Sequence, residues 1–278
     1  MELNPDYADN WQQLGLSYFE NVEYEEAINS LLKAVELNPD DSDNWHLLGR
    51  SYFENVEYQD AIESFMKAVE LDSNEAANCL WLGRSFFENG QYEEAIECCF
   101  KAAELNPDDS DNWHWLGRSY YFNKQYQEAI NSFSKAVELN PDDNLNWYWL
   151  GYLYLSLNDY DNAVYSFDKY IKIDANDYFV WNNYGVALVN LNRIEEAKIA
   201  FSKVIELDPD NELAKNNLKI LQSSNEGVSL DGIVSGISKG IDTLNEISGK
   251  IDSKTVGLIM GAAGFIGKII GGSNKDKS

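Results

Sequence analysis

Basic residues are scarce in this chain. Of 278 residues, 21 are lysine or arginine against 47 aspartate or glutamate, a net charge of −26. A surface of that sign repels phosphate backbones and anionic lipid, so nucleic acid is excluded as a partner. Histidine is rarer still: His46 and His114 are the two in the chain and lie too far apart to share a metal. Three cysteines, Cys79, Cys98 and Cys99, lack the even count and spacing of a disulfide framework. A reducing, cytoplasmic compartment is expected. No glycine-rich loop has the spacing to cradle phosphates. Gly236-Ile237-Ser238-Lys239-Gly240 matches G-x-S-x-G only formally, because no strand pattern surrounds it. Acids are too abundant for any carboxylate pair to stand out. The composition therefore predicts no enzyme, no metal and no cofactor.

What is present is a period of 34 residues, running six times. Trp11, Trp45, Trp113, Trp147 and Trp181 share one register, with Cys79 in the third copy. Leu14, Leu48, Leu82, Leu116, Leu150 and Tyr184 follow, each before a glycine: Gly15, Gly49, Gly83, Gly117, Gly151 and Gly185. Alanine recurs at Ala27, Ala61, Ala95, Ala129, Ala163 and Ala197. Such self-similarity predicts stacked copies of a unit that cannot bury its apolar face alone. In the second copy Trp45, Leu48 and Tyr52 share one helical face, and Ala61, Phe65 and Ala68 share another. Asn55 falls between the two helices, where a residue tolerant of the left-handed conformation is expected. Asn-Pro-Asp at Asn38, Asn106 and Asn140 predicts the break between copies, with aspartate capping the next helix. The glycine after leucine is expected to let two helices approach closely.

The second copy, NWHLLGRSYFENVEYQDAIESFMKAVELD, resembles the tetratricopeptide repeat: Trp, two residues, Leu-Gly, two residues, Tyr, then Ala, three residues, Phe, and a closing Pro. Ser73 and Ala175 depart from the proline, and Cys99 from the phenylalanine. The resemblance covers residues 8–211 and implies an all-α, right-handed superhelical solenoid whose concave groove binds protein or peptide. The expected repeats are 8–41, 42–75, 76–109, 110–143, 144–177 and 178–211. Residues 1–7 read as the end of a partial repeat, as in a chain cut from a longer array or one that starts there. Residues 212–222 read as a capping helix, and 223–278 as a glycine-rich tail.

In this family the first helix of each pair lines the groove, at positions two, five, six, nine, twelve and thirteen of the repeat. The ninth position holds Arg50, Arg84 and Arg118, three of the chain's four arginines. The sixth holds Trp81, Trp115 and Trp149; the twelfth, Phe19, Phe53, Phe87 and Tyr121; the fifth, His46, His114 and Tyr148. Trp81 and Arg84 are three apart, as are Trp115 and Arg118, so each pair can meet on one helix face. The fifth repeat adds Tyr152. Two readings stand side by side. Either the arginines bind the carboxylates of an extended peptide with acidic and apolar residues, or they pair internally with Glu54, Glu88 or Asp111. The heat-shock co-chaperones of the family hold a carboxylate with lysine and asparagine. Here Gln12 and Leu16, or His46 and Arg50, take the first-repeat positions and the lysines are absent.

The tail carries an amphipathic stripe, Leu230, Val234, Ile237, Ile241, Leu244 and Ile251, a first glycine series, Gly232, Gly236 and Gly240, and a second, Gly257, Gly261, Gly264, Gly267 and Gly271. The latter weakly resembles a glycine-zipper membrane segment. Its uncharged run Val256–Gly267 has 12 residues, against about 20 needed to span a bilayer. Membrane association through residues 255–272 is the alternative to a purely cytoplasmic adaptor. The oligomeric state stays open at this point.

Overall fold

The computed structural model describes residues 7–223; all but Tyr7 of the partial repeat expected at 1–7, and all but Ser223 of the tail expected at 223–278, lie outside them. Every regular element among the described residues is an α-helix. The chain divides into two compact units, Met1–Asn140 and Pro141–Ser278. The first holds α1 (Ala8–Glu20), α2 (Tyr24–Leu37), α3 (Ser42–Glu54), α4 (Tyr58–Leu71), α5 (Ala76–Glu88), α6 (Tyr92–Leu105), α7 (Ser110–Phe122) and α8 (Tyr126–Leu139). The second holds α9 (Asn144–Ser156), α10 (Tyr160–Ile173), α11 (Tyr178–Asn190), α12 (Ile194–Leu207) and α13 (Glu212–Ser223). Within each unit every helix packs on the next in sequence, the antiparallel pair of one repeat being its tightest contact.

The second to sixth repeats each start on an acid, whereas the first starts after Tyr7 with no side-chain cap. The Asp41 side chain accepts from the backbone N–H groups of Asp43 and Asn44, and Asp109, Asp143 and Asp177 do the same for the second helical residue beyond them. Glu75 takes this place in the third repeat. Caps of this kind contribute about 0.5–2 kcal/mol each. In Asn-Pro-Asp-Asp the cap is the second aspartate, one residue later than the sequence pattern alone suggests. The signature tryptophan then closes the joint from above. The indole N–H of Trp45, Trp113, Trp147 and Trp181 donates to the carbonyl six residues earlier, at Pro39, Pro107, Pro141 and Ala175, over 2.8–2.9 Å. A side chain that reaches out to this turn is only partly core: Trp45, Trp113 and Trp181 are half-buried, and Trp147 is buried.

The turn inside each repeat is a Schellman motif. The N–H of Val56 donates to Phe53 O at 3.0 Å and that of Glu57 to Tyr52 O at 2.9 Å, and the same pair of bonds recurs in all six repeats. The residue forced into the left-handed region is Val22, Val56, Gly90, Lys124, Asn158 or Asn192, with φ between 59° and 79°. Asn55, expected there, sits at φ −80° as the helix cap. The bonds fix the left-handed residue one step further along. A β-branched valine there carries strain that glycine would not.

The core of each repeat is one close approach. A Cβ placed on Gly117 would lie 2.8 Å from the Phe133 ring, on Gly151 2.6 Å from Phe167, and on Gly185 2.8 Å from Phe201. Leu31 and Phe65 stand likewise over Gly15 and Gly49, and all five of these side chains are fully buried. In the third repeat Cys99 replaces the ring and a Cβ on Gly83 would also reach its backbone nitrogen at 3.1 Å. At the end of the second unit α13 packs on α12 and buries Ala214, Asn217 and Leu221. Among the described residues no helix is long and apolar enough to cross a membrane.

Two substitutions test these local arguments. Gly117→Ala forces Cβ into a buried ring and should lower stability by about 1–3 kcal/mol in urea unfolding. Val56→Gly relieves the left-handed strain at a side chain that is 47% exposed, and should raise stability by about 1 kcal/mol after the added chain entropy of glycine. A lowered midpoint for Val56→Gly would refute the strain argument.

Candidate functional site

Positions six, nine and twelve of the first helices come together in the first unit as one column of alternating cations and rings. The guanidinium carbon of Arg50 lies 4.8 Å from the centre of Phe19 and 5.1 Å from Trp81. That of Arg84 lies 5.3 Å from Phe53, 3.8 Å from Trp81 and 4.6 Å from Trp115. That of Arg118 lies 4.6 Å from Phe87 and 4.3 Å from Trp115. Each arginine therefore touches the twelfth-position ring of the repeat before it. Arg84 and Arg118 also touch the tryptophan one helical turn back on their own helix. Such contacts contribute about 0.5–2 kcal/mol each. The rings brace one another too, with Phe53 edge-on to Trp81 at 5.4 Å and Phe87 edge-on to Trp115 at 5.6 Å.

The charges in this column are not neutralised by direct pairing. The Nε of Arg50, Arg84 and Arg118 is buried and has no hydrogen-bond partner. Among the described residues the ion pairs are single-helix pairs at spacing three or four, and none of these three arginines takes part. The internal pairing expected as an alternative is thus absent as contact and survives only as field. Burial lowers the Arg84 pKa, with Glu54, Asp111 and Glu88 opposing it at longer range. Burial pushes Arg118 further, to about 10, against the attraction of Glu88 and with the repulsion of Arg84. Arg84 and Arg118 are therefore partly desolvated cations without an ion-pair partner.

The other expected residues fall in several places. His46 is half-buried, edge-on to Phe65 at 5.5 Å and Trp81 at 6.5 Å. Its Nδ1 is 2.6 Å from Asn78 Oδ1 and donates to it, since the Asn78 amide nitrogen faces the Ala68 carbonyl. Burial lowers its pKa, so at neutral pH it is an orienting neutral ring rather than a cation. His114 packs against Trp115 at 5.9 Å and Phe133 at 6.0 Å. Tyr121 is half-buried against Phe122 and Tyr126. Phe87, expected at the surface, has no exposed area. The cause is Phe122, which stands where the earlier repeats carry Glu20, Glu54 and Glu88; it covers Phe87 at 5.1 Å and stacks on Tyr92. Phe87 can brace Arg118 but cannot touch a ligand. Phe19, expected at the twelfth position, takes its place under Arg50. Sequence reasoning left out Asn78, which is visible only once α3 and α5 are placed together.

In the second unit Tyr148 stacks on Tyr152 at 6.2 Å and meets Tyr170 edge-on at 6.2 Å; the Tyr170 hydroxyl donates to Asp177 Oδ2 over 3.0 Å. Trp149 is 3% exposed and corrects the expectation of a surface ring. Its helix, NLNWYWLGYLYLS, is apolar on all sides and buries seven residues, as helices of that pattern do. Burial pushes the Cys98 and Cys99 thiols up to about 12, and all three cysteines are free.

Models of the tetratricopeptide repeat match residues 13–76, 116–178 and 180–211, together more than half of the chain. That of anaphase-promoting complex, cyclosome, subunit 3 matches residues 65–136. The chain belongs to the tetratricopeptide-repeat family. No curated protein sequence matches it. Solved structures do. YrrB, described as a TPR protein with an unusual peptide-binding site, is 25% identical over 68% of this chain and 97% of its own, with a TM-score of 0.61. PilF of Pseudomonas aeruginosa is 23% identical over 78% and 97%, at 0.63. The C-terminal part of a TPR repeat-containing protein from Cytophaga hutchinsonii is 21% identical over 76% and 87%, at 0.65. The family is one of protein-interaction scaffolds and is typically non-enzymatic, and this chain takes its class from it.

Arg118→Met separates binding from stability. Methionine keeps the apolar stem between Phe87 and Trp115 and removes a buried, unpaired charge. The thermal midpoint should rise, because relief of desolvation exceeds the lost ring contact. A midpoint that falls would show that the cation–ring attraction is the larger effect.

Proposed function

We propose that the column of Arg50, Arg84 and Arg118 binds the carboxylates of an extended peptide segment, with Phe53, Trp81, Trp115 and Tyr121 taking its apolar residues. The observation that carries this reading is the row of three buried, unpaired Nε groups in a protein otherwise rich in acids. Desolvated donors left without partners are costly in isolation, and a carboxylate arriving from a ligand would satisfy them with charge-assisted bonds. His46 and His114 flank the column as neutral or ring-packed groups. The peptide-binding site named for YrrB supports the same use of this fold. In the second unit the stacked Tyr148 and Tyr152 form an aromatic pair of their own. The alternative, anchoring through residues 255–272, lies outside the described residues.

The site is tested by titrating the full chain with a short fluorescent peptide of glutamate interspersed with leucine, beside a twin with glutamine for glutamate. Arg84→Glu and Trp115→Ala should each weaken the acidic peptide by at least about tenfold. The helical circular dichroism should stay in place. The glutamine twin should bind more weakly than the parent. Raising salt should speed association, since the −26 body repels an acidic ligand at long range. Equal affinity in both variants would remove the column as the binding site.

A further inference from the structure

A second surface lies on the even-numbered helices of the first unit. Leu32, Met66 and Phe100 hold the same position of α2, α4 and α6, and are 42%, 54% and 46% exposed. In the fourth repeat that position is Ser134, so the apolar stripe is confined to the first three. Leu32 and Met66 open into a groove of about 830 Å³ that also reaches Trp45, Leu48, Val69 and Leu82. Asp60, Glu63 and Glu70 stand along it with Lys67. None of the three column arginines lines this groove.

The charge beside the stripe is one-sided. Lys33, Lys67 and Lys101 follow the apolar residue in each helix, and each is already held by a glutamate three residues on, Glu36, Glu70 or Glu104. Toward the N-terminal ends stand Glu25 and Glu26 on α2, Asp60 and Glu63 on α4, and Glu93 and Glu94 on α6, with no basic partner among the described residues. An apolar floor bounded on one side by uncompensated acids fits a complementary strip: apolar side chains in a row with lysine or arginine beside them.

We infer that this groove holds an amphipathic helix of a partner protein whose apolar face is bordered by basic residues. A helix meets the geometry because it presents side chains in one row, seating knobs into the grooves between packed helices. Residues 224–278 of this chain do not supply the charge, carrying equal numbers of lysines and acids. A second copy would bring another strongly acidic surface, and an anionic membrane is repelled on the same ground. This surface is independent of the arginine column, and the two can be tested separately.

The probe is a fluorescent amphipathic helical peptide of leucine and lysine, added to the full chain at physiological ionic strength and followed by anisotropy. Met66→Glu should weaken binding about tenfold or more, although it adds an acid, because the apolar contact is lost. Asp60→Lys combined with Glu63→Lys should weaken it comparably. Met66 is exposed, so Met66→Glu should keep its helical circular dichroism. Trp115→Ala and Arg84→Glu should leave this peptide unaffected. Full affinity in Met66→Glu would reduce the association to bulk charge and overturn the proposal. A loss in Trp115→Ala would assign the peptide to the column instead. A photo-crosslinker at position 66 that joins residues 224–278, or a second copy of the chain, would overturn the partner named here.

Discussion

Every repeat depends on one absence of an atom. At the eighth position of each first helix a glycine faces a fully buried side chain of the second, and a Cβ there would fall 2.5–2.9 Å from it. That distance cannot be absorbed by a ring with no exposed area. The close approach fixes the depth of each helix pair, and with it which positions of the first helix can reach the next repeat. The cation–ring column follows from this. Arg84 touches Phe53 and Trp115 because the pairs before and after it are held at the same depth.

Joint and turn chemistry supply the rest of the regularity. The acid cap, the indole bond to the proline carbonyl and the Schellman turn each satisfy backbone groups that a short helix leaves open. None of the three alone is worth more than about 2 kcal/mol. Repeated along the chain they define where every helix starts and stops, so the helices keep lengths of 13 and 14 residues through twelve elements. The third repeat keeps the helix lengths while giving up two markers. Cys79 cannot donate to the carbonyl at Ser73 as the indoles do, and Cys99 fills less space than a ring. A Cβ on Gly83 would still meet the Cys99 Sγ at 2.5 Å and its backbone nitrogen at 3.1 Å, so the close approach is kept.

The helices, the glycine contact and the register of the arginines were legible because each rests on spacing within one repeat. Trp81 and Arg84 are a case in point: separation by three residues suffices to place them face to face. What lies between repeats was not legible. Nothing in the spacing of Phe53 or Trp115 says that both reach Arg84, or that Asn78 takes the His46 proton. Phe87 was misplaced because its exposure is decided by a residue of the following repeat, Phe122. Trp149 was misplaced because a position rule for amphipathic helices does not apply to α9, which has no polar face to turn outward. The left-handed residue of the turn was misread for a third reason. Composition favours asparagine, but the hydrogen-bond pattern selects a position and accepts the valine that occupies it.

A protein with an acidic surface gains from setting its cations against ring faces. An exposed arginine among so many carboxylates would pair with a neighbour, as Arg193 does with Glu196 over 2.7 Å, and would then have little left for a ligand. Ring faces of Phe53, Trp81 and Trp115 keep Arg84 from that fate. They stabilise the cation without occupying its N–H groups, and they exclude the carboxylate side chains that would. The cost is visible as the depressed basicity of Arg84 and Arg118. Desolvation that lowers an arginine's pKa also strengthens its attraction for any anion that enters the same dry environment.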